Sequence, residues 1–452
     1  MQKSVVGISS LRLISAGILT TFSSISMAGG FALIEQSASQ MGNAFAGGAA
    51  FANDASTVYF NPAGMTRLPA QVVGGLHYVD PSAKFDGTAT DIFGGAVSGG
   101  NGGDAGQDGL VPNLYITAPL GNGLFAGLGI TVPFGLATEY DKDWKGRYHA
   151  IESEVHTVNI NPSIAYKVNN RLSVGAGISL QYIDAKLTQS IDQGSLCAPT
   201  LAQLQALGVP GADPANCAGL TPQSADGFAK VEGDNWAGGY NVGLLYEPTS
   251  STRVGLSYRS KVQQKLNGDG RFSNTIPQLS PFGIFVDTDI HASINLPQNA
   301  SLSVWHDLNS KWSVMADATW TGWDNFDELR IGYDSNQPDS VVDENWDDVM
   351  RYSVGVDYRM NSAWTFRGGV AYDETPIPDA EHRTPRIPGE DRTWISVGFG
   401  YQINQSFGVD VGYAHLFVDD PKINHTSTSA GNINGEYDAD VNILSAQLVW
   451  NI

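Results

Sequence analysis

Positive charge is scarce in this chain: Lys and Arg number 25 against 46 Asp and Glu, a formal net charge of −21. Nucleic acid is not expected as a partner, because phosphate binding draws on clustered basic side chains that displace counterions, and no basic run occurs. Cysteine is almost missing, with Cys197 and Cys217 the only two. Lacking a nearby His they make a poor zinc site, so no metal site is expected. In an exported chain their expected fate is a disulfide that staples one loop. Charged residues stand at 16%, below the roughly 25% of soluble domains. Past residue 28 no uninterrupted apolar run reaches about 18 residues, so no transmembrane helix is expected there. A Gly-x-Ser-x-Gly element is also missing, as is a Ser with an obvious His partner, which argues against an enzyme; no cofactor is implied.

What is present begins at the N-terminus. Lys3 and Arg12 precede an apolar stretch from Leu13 to Phe22, and Ser26-Met27-Ala28 supplies the small residues a signal peptidase requires. Residues 1–28 therefore read as a signal peptide. If the exported remainder enters a membrane it must do so as strands, since only helices and closed barrels satisfy every backbone group in lipid. Gly, at 52 residues, and aromatics, at 10%, suit many short strands and turns.

Alternation with period two recurs along the chain. Tyr352, Val354, Val356 and Tyr358 fall on one face, with Arg351, Ser353, Gly355, Asp357 and Arg359 on the other. Trp364, Phe366, Val370 and Tyr372 repeat the pattern against Thr365, Arg367 and Asp373, after the turn Asn361-Ser362-Ala363. Val254, Leu256 and Tyr258 alternate with Arg253, Ser257, Arg259 and Lys261. Fourteen candidate strands follow, near 71–80, 111–119, 123–132, 157–167, 172–189, 229–247, 253–265, 288–307, 311–332, 350–359, 364–373, 392–402, 405–416 and 440–452. The count is even, and short connections such as Leu120-Gly121-Asn122 and Leu308-Asn309-Ser310 alternate with long ones, as in an outer-membrane barrel with short periplasmic turns and long external loops. The last strand ends in Ile452, with Trp450 two residues before it, where most such barrels end in an aromatic residue. The fold class is thus an all-β transmembrane antiparallel barrel over 70–452. Residues 29–69, rich in Ala, Gly, Ser and Asn, lack barrel alternation and are expected to fold as a plug in the lumen.

Gly30-Phe31-Ala32-Leu33-Ile34-Glu35-Gln36-Ser37, Gly42-Asn43-Ala44-Phe45-Ala46-Gly47, Asn53-Asp54-Ala55-Ser56 and Asn61-Pro62-Ala63-Gly64 together resemble the N-terminal hatch of the FadL-type long-chain fatty acid transporters. Phe134-Gly135-Leu136-Ala137-Thr138-Glu139-Tyr140, Asn159-Ile160-Asn161-Pro162-Ser163, and Pro385-Arg386-Ile387-Pro388 followed by Asp391-Arg392-Thr393-Trp394 extend the likeness over nearly the whole mature chain. The resemblance implies a fourteen-stranded barrel plugged by a hatch, and passive uptake of an amphipathic ligand released sideways through a kink in the third strand. Pro133-Phe134-Gly135 resembles that kink, where Pro cannot donate to a ladder and Gly bends freely. In the hatch, Asn61, Pro62 and Ala63 suit a held turn, and Phe31, Leu33 and Phe45 are expected to line a pocket.

One departure bears on the substrate. Basic residues that the best-known members place late in the fifth strand and before the tenth align with Gln189 and Val342. A buried carboxylate without a cationic or hydrogen-bonding partner is costly, so either another residue substitutes or the ligand is less acidic. Lys186, Arg259, Lys261, Arg351 and Arg367 are the inward-facing candidates. The ligand expected is a fatty acid, with aromatic hydrocarbons or other neutral hydrophobic compounds as the alternative. The protein is expected to act as a monomer in outer-membrane lipid. The acidic runs Trp323-Asp324-Asn325-Phe326-Asp327-Glu328 and Asp343-Glu344-Asn345-Trp346-Asp347-Asp348 lack the Gly-centred spacing of a calcium loop and read as solvated loop surface.

Overall fold

The computed structural model describes residues 29–452; the expected signal peptide lies outside the described residues. Twenty strand segments join in one sheet, every pairing antiparallel. Several are pieces of one interrupted strand, and together they make a closed barrel of fourteen. In chain order the strands are Gln71–Thr90, Gly109–Gly121, Leu124–Thr131 continued by Gly135–Glu139, Glu152–Lys167, Leu172–Asp192, Asp226–Thr249, and Thr252–Arg259 continued by Val262–Ser273. The eighth is Thr288–Leu296 with Gln298–Asp307, the ninth Trp312–Gly322 with Glu328–Tyr333, and the tenth Ser340–Asp343 with Val349–Arg359. Trp364–Asp373, Arg392–Gln402, Phe407–Val418 continued by Lys422–Ser427, and Gly431–Asn451 complete the wall.

Closure leaves no free edge, which is what a strand needs to sit in lipid. The first strand pairs with the last over its whole length, from Gln71↔Asn451 to Thr90↔Asn432. Alternation then sorts the side chains: Tyr352, Val354, Phe366 and Val370 face out, while Arg351, Ser353 and Asp357 are buried inside. Lys261 breaks the expected parity. The seventh strand is interrupted at Ser260 and Lys261, and beyond the interruption Val262 is buried while Lys261 is exposed. One irregular residue shifts every following side chain to the opposite face.

The lumen holds residues 29–70 as four short helical pieces, Ala38–Met41, Gly48–Ala50, Thr57–Phe60 and Pro62–Arg67. Almost every residue from Gly30 to Thr66 is buried or half-buried. Polar anchors tie this plug to the wall. Asp54 accepts from Ser39 Oγ at 2.7 Å, Ser56 N at 2.9 Å and the last strand's Gln447 Nε2 at 3.0 Å. Asn61 Oδ1 accepts from Ala63 N at 3.0 Å, closing the Asn-Pro-Ala turn, and its Nδ2 donates to Leu244 O at 3.0 Å. The wall makes room with glycine. A Cβ on Gly243 would overlap Asn61 Oδ1, and one on Gly369 would overlap Asn43 O.

Gly243→Ala is accordingly expected to lose about 1–3 kcal/mol, the range for overpacking a filled interior, in denaturant titrations of the detergent-solubilised protein. Gly74→Ala, where nothing lies within 4 Å of the added carbon, is the control expected to match the unchanged chain.

Candidate functional site

The third strand departs from the wall at Val132–Phe134. Its ladder with the second strand ends at Leu114↔Ile130, and its ladder with the fourth stops at Thr131↔Asn159 and resumes at Gly135↔His156. Pro133 has no N–H to give, and the hatch takes up the freed groups. Leu33 N donates to Pro133 O at 2.8 Å, Gly135 N donates to Phe31 O at 3.0 Å, and Gln36 Nε2 donates to Val132 O at 2.7 Å. The fourth strand's Thr157 serves both backbone groups of Phe134, accepting from its N–H at 3.0 Å and donating to its carbonyl at 2.6 Å. Opposite, Gly109–Asn113 of the second strand pair with the first strand alone. The wall therefore has a gap beside Pro133-Phe134-Gly135.

Two cavities lie near this point, one lined by Pro133 and Phe134 and the other by Phe31 and Leu136. The lower lies between hatch and wall. Leu33, Phe45 and Phe60 contribute apolar surface, Arg259, Arg351, Asp317 and Asp373 contribute charge, and Pro133 and Phe134 also line it. The upper is apolar almost throughout, lined by Leu136, Val155, Ile183, Leu266, Ile290 and Ile331, and holds Arg386 and Glu344 on its border. Phe31 stands between the two. Its ring lies 5.0 Å from that of Trp323, 6.0 Å from those of Phe134 and Trp346, and 6.2 Å from that of Phe326. Gly30 permits this closeness: its φ is +69°, and a Cβ there would come within 2.5 Å of Trp346 and 2.8 Å of Trp323.

Among the five basic candidates the structure separates lumen groups from wall pairs. Lys186 is paired with Glu152 at 2.5 Å and Glu154 at 3.2 Å, Arg367 with Asp410 at 2.7 Å, and exposed Lys261 reaches Asn325 at 3.3 Å. None of these three lines either cavity. Arg259 and Arg351 both line the lower one. Arg259 packs over Tyr59, 4.5 Å from the ring centre, and donates to Tyr59 O at 2.9 Å. Arg351 donates to Ala44 O at 3.0 Å and sits 4.9 Å from the Trp394 ring centre. Ala44 and Phe45 both hold left-handed backbone, at φ 55° and 57°, a conformation that disfavours L side chains. Arg351 thus clamps a hatch turn built on two successive left-handed residues.

Strand parity cannot find Arg386, in the Pro385-Arg386-Ile387-Pro388 run, because it belongs to a loop. Its Nη2 donates to Gln189 Oε1 at 2.8 Å and its Nη1 to Ser153 Oγ at 3.0 Å. The guanidinium therefore reaches the late fifth strand, beside the residue aligned with a basic group in the best-known members. Burial lowers its pKa to about 10, leaving it cationic at neutral pH. The two acidic runs also require correction. Trp323, Phe326, Glu344 and Trp346 are buried, while the intervening Asp324, Asp327, Asp343, Asp347 and Asp348 are exposed. The loops fold inward on their aromatic residues because Phe31 and its neighbours offer an apolar surface. Cys197 and Cys217 are bridged, with Cα atoms 5.9 Å apart, and hold the loop helix Gln193–Ala206 over a small apolar core.

A family model described as outer membrane protein transport protein (OMPP1/FadL/TodX) matches residues 19–451. The chain belongs to this family. It is 35% identical over 399 residues to a long-chain fatty acid transport protein of Escherichia coli O6:H1, with 86% of each chain covered. It is 29% identical over 406 residues to outer membrane protein P1 of Haemophilus influenzae, again with 86% of each covered. The crystal structure of a Pseudomonas aeruginosa FadL homologue superposes with a TM-score of 0.84 at 26% identity, covering 93% of this chain and 99% of that one. The Ralstonia pickettii toluene transporter TbuX shares the fold, at a TM-score of 0.63 and 22% identity over 93% of this chain and 98% of that one. The FadL-family protein is an outer-membrane transporter of hydrophobic compounds, and its family is one of transport proteins rather than enzymes.

Burial of Glu344 raises its pKa from 4.5 to about 8, against the opposing effects of the Trp346 Nε1 hydrogen bond (3.1 Å) and nearby Arg386. Between those values the folded protein holds a proton that the unfolded chain releases, so this group's contribution to stability falls as pH rises through that window. Tryptophan fluorescence is expected to titrate with a midpoint near 8, and Glu344→Gln to abolish that transition.

Proposed function

We propose that this transporter takes up long-chain fatty acids passively, holding the hydrocarbon chain in the upper apolar cavity and the carboxylate against Arg386, and releasing the ligand sideways at the third-strand kink. The observation that carries the reading is one buried guanidinium, without a carboxylate within 4 Å among the described residues, on the border of a cavity that is apolar apart from it, Glu344 and Glu232. Such a group is costly to bury alone and gains most from an anionic partner that brings its own apolar body. The Escherichia coli relative's fatty acid transport fits this chemistry.

Passage from the upper cavity to the kink requires Phe31 to leave the cluster of Phe134, Trp323, Phe326 and Trp346. Phe31 and Leu33 supply the backbone groups that pair with Gly135 and Pro133, so a shift of the hatch would move the gate and the kink together. Asn61, Pro62 and Ala63 anchor the far end of the hatch to the sixth strand and serve as its fixed point. Neutral aromatic compounds are the second reading, favoured by the ring cluster itself, which offers stacking surfaces to a flat apolar ligand.

Arg386→Gln is expected to weaken oleate binding about tenfold or more, the value of a hydrogen bond to a charged group, while leaving oleyl alcohol nearly unaffected. Equal losses for both ligands would count against the carboxylate role. In cells whose own transporter is deleted, uptake of radiolabelled oleate is expected with this chain and is expected to fall when Pro133-Phe134-Gly135 is replaced by a regular strand sequence. Toluene uptake without oleate uptake would favour the second reading, and uptake of neither would refute transport of both.

A further inference from the structure

The sixth strand is paired along its whole length with the fifth, from Asp192↔Asp226 to Leu172↔Tyr246. Its other edge is broken. It pairs with the seventh strand over Phe228–Asp234 and again over Asn241–Tyr246, and between these ladders residues 235–240 face 260–266 without strand pairing. Sparse links close the two ends of the seam. Tyr240 and Ser260 exchange two hydrogen bonds of 2.9 Å, one through the Ser260 hydroxyl, and Asn235 Nδ2 donates to Gln264 Oε1 at 3.0 Å.

The seam lies at lipid depth. Across the fifth strand Gly238 is level with Leu180 and Tyr240 with Ile178, both outward and exposed, and Trp236, 5.2 Å from the Tyr182 ring, continues the outer face. An unpaired backbone in this band is costly, so a break there is a feature to be explained. It is also thin. A Cβ on Gly238 would meet nothing within 4 Å except Ser179 O at 3.8 Å, and on Gly239 it would lie 2.9 Å from Val262 Cγ2. From inside, Ala237 packs against the apolar cluster of Val262, Leu266, Leu296 and Phe326. Just below, Val242 and Tyr258, paired across the two strands, line the lower cavity and also a groove on the outer face.

We propose that the seam between the sixth and seventh strands is a second lateral passage, through which the hydrocarbon part of a hydrophobic ligand moves between the lumen and the surrounding lipid. The passage rests on the transport reading above; the opening itself does not. Gly238 leaves the outer face of the seam open, while the Val262 and Ser260 side chains lie against Gly239 and Gln264 Nε2 reaches across to Gln181 O at 3.3 Å, so these three side chains are what must move aside. The apolar inner border is continuous with the upper cavity's lining. The third-strand kink, through Pro133 and Phe134, and the flank of this seam, through Val242 and Tyr258, both line the lower cavity.

The opening is tested in bilayers of lipids brominated along the acyl chain. A small fluorescent label on Ala237→Cys, the native cysteines being bridged, is expected to be quenched as strongly as one on outward Leu180→Cys, while one on inward Gln181→Cys stays protected. Protection at position 237 equal to that at 181 overturns the opening. The passage is tested by joining Gly239→Cys to Val262→Cys in an oxidised disulfide. Oleate uptake is expected to fall about twofold relative to each single variant, as when one of two similar parallel routes is closed, and to reach background when the third-strand kink is also replaced. Equal rates in bridged and single variants overturn the passage. If the unchanged chain takes up no oleate, the transport reading fails with the passage, and the quenching still decides the opening.

Discussion

The structure turns on a constraint that lipid imposes on the backbone: inside the hydrocarbon every N–H and C=O must find a partner within the protein. Fourteen strands closed edge to edge meet it everywhere except where strands break. At the third strand the exception is absorbed by the hatch, whose Phe31 and Leu33 backbone groups pair with Gly135 and Pro133. The gap in the wall and the plug in the lumen are therefore one feature. Removing the hatch would leave buried backbone unsatisfied, and regularising the strand would leave the hatch without its partner.

The same logic explains why the lumen is crowded and yet keeps cavities. Gly243 and Gly369 bring hatch backbone and side chains into contact with the wall, while buried ion pairs such as Arg367 with Asp410 and Arg392 with Asp373 satisfy charge internally. What stays unpaired is informative. Arg351 has its Nε buried without a partner and its Nη2 committed to the strained hatch turn at Ala44. Arg386 is held by two neutral oxygens. One guanidinium is engaged with the plug, and the other faces apolar space.

The barrel was legible in the sequence because its signal is repeated in every strand: period two, short turns alternating with long loops, and a closing strand at the C-terminus. Parity is a local rule, however, and it fails where a strand is interrupted. Counting from Val254 puts Lys261 on the inner face, and the break at Ser260 turns it outward. Loops carry no such periodicity. The Trp and Phe residues of the two acidic runs looked solvated because Asp residues surround them, and only the position of Phe31 shows why they fold inward. Arg386 stood in a motif whose likeness was visible, but its approach to Gln189 spans 197 residues, a contact that no local pattern encodes.

A passive channel must hold its ligand firmly enough to admit it and loosely enough to let it leave. An apolar cavity bordered by a lone guanidinium could bind a fatty acid too well, since transfer of the chain and neutralisation of the charge act together. Glu344 lies on the border of the same cavity, and burial keeps its carboxyl protonated at neutral pH. In that state it offers no charge to compete for Arg386, and the ligand can enter. As the ligand carboxylate approaches Arg386, it adds negative potential around Glu344 and holds the proton there more strongly. Departure relaxes that coupling. On the proposed fatty acid reading, the two groups let a charged headgroup be accommodated without a second fixed anion, and the balance between capture and release is set within the cavity.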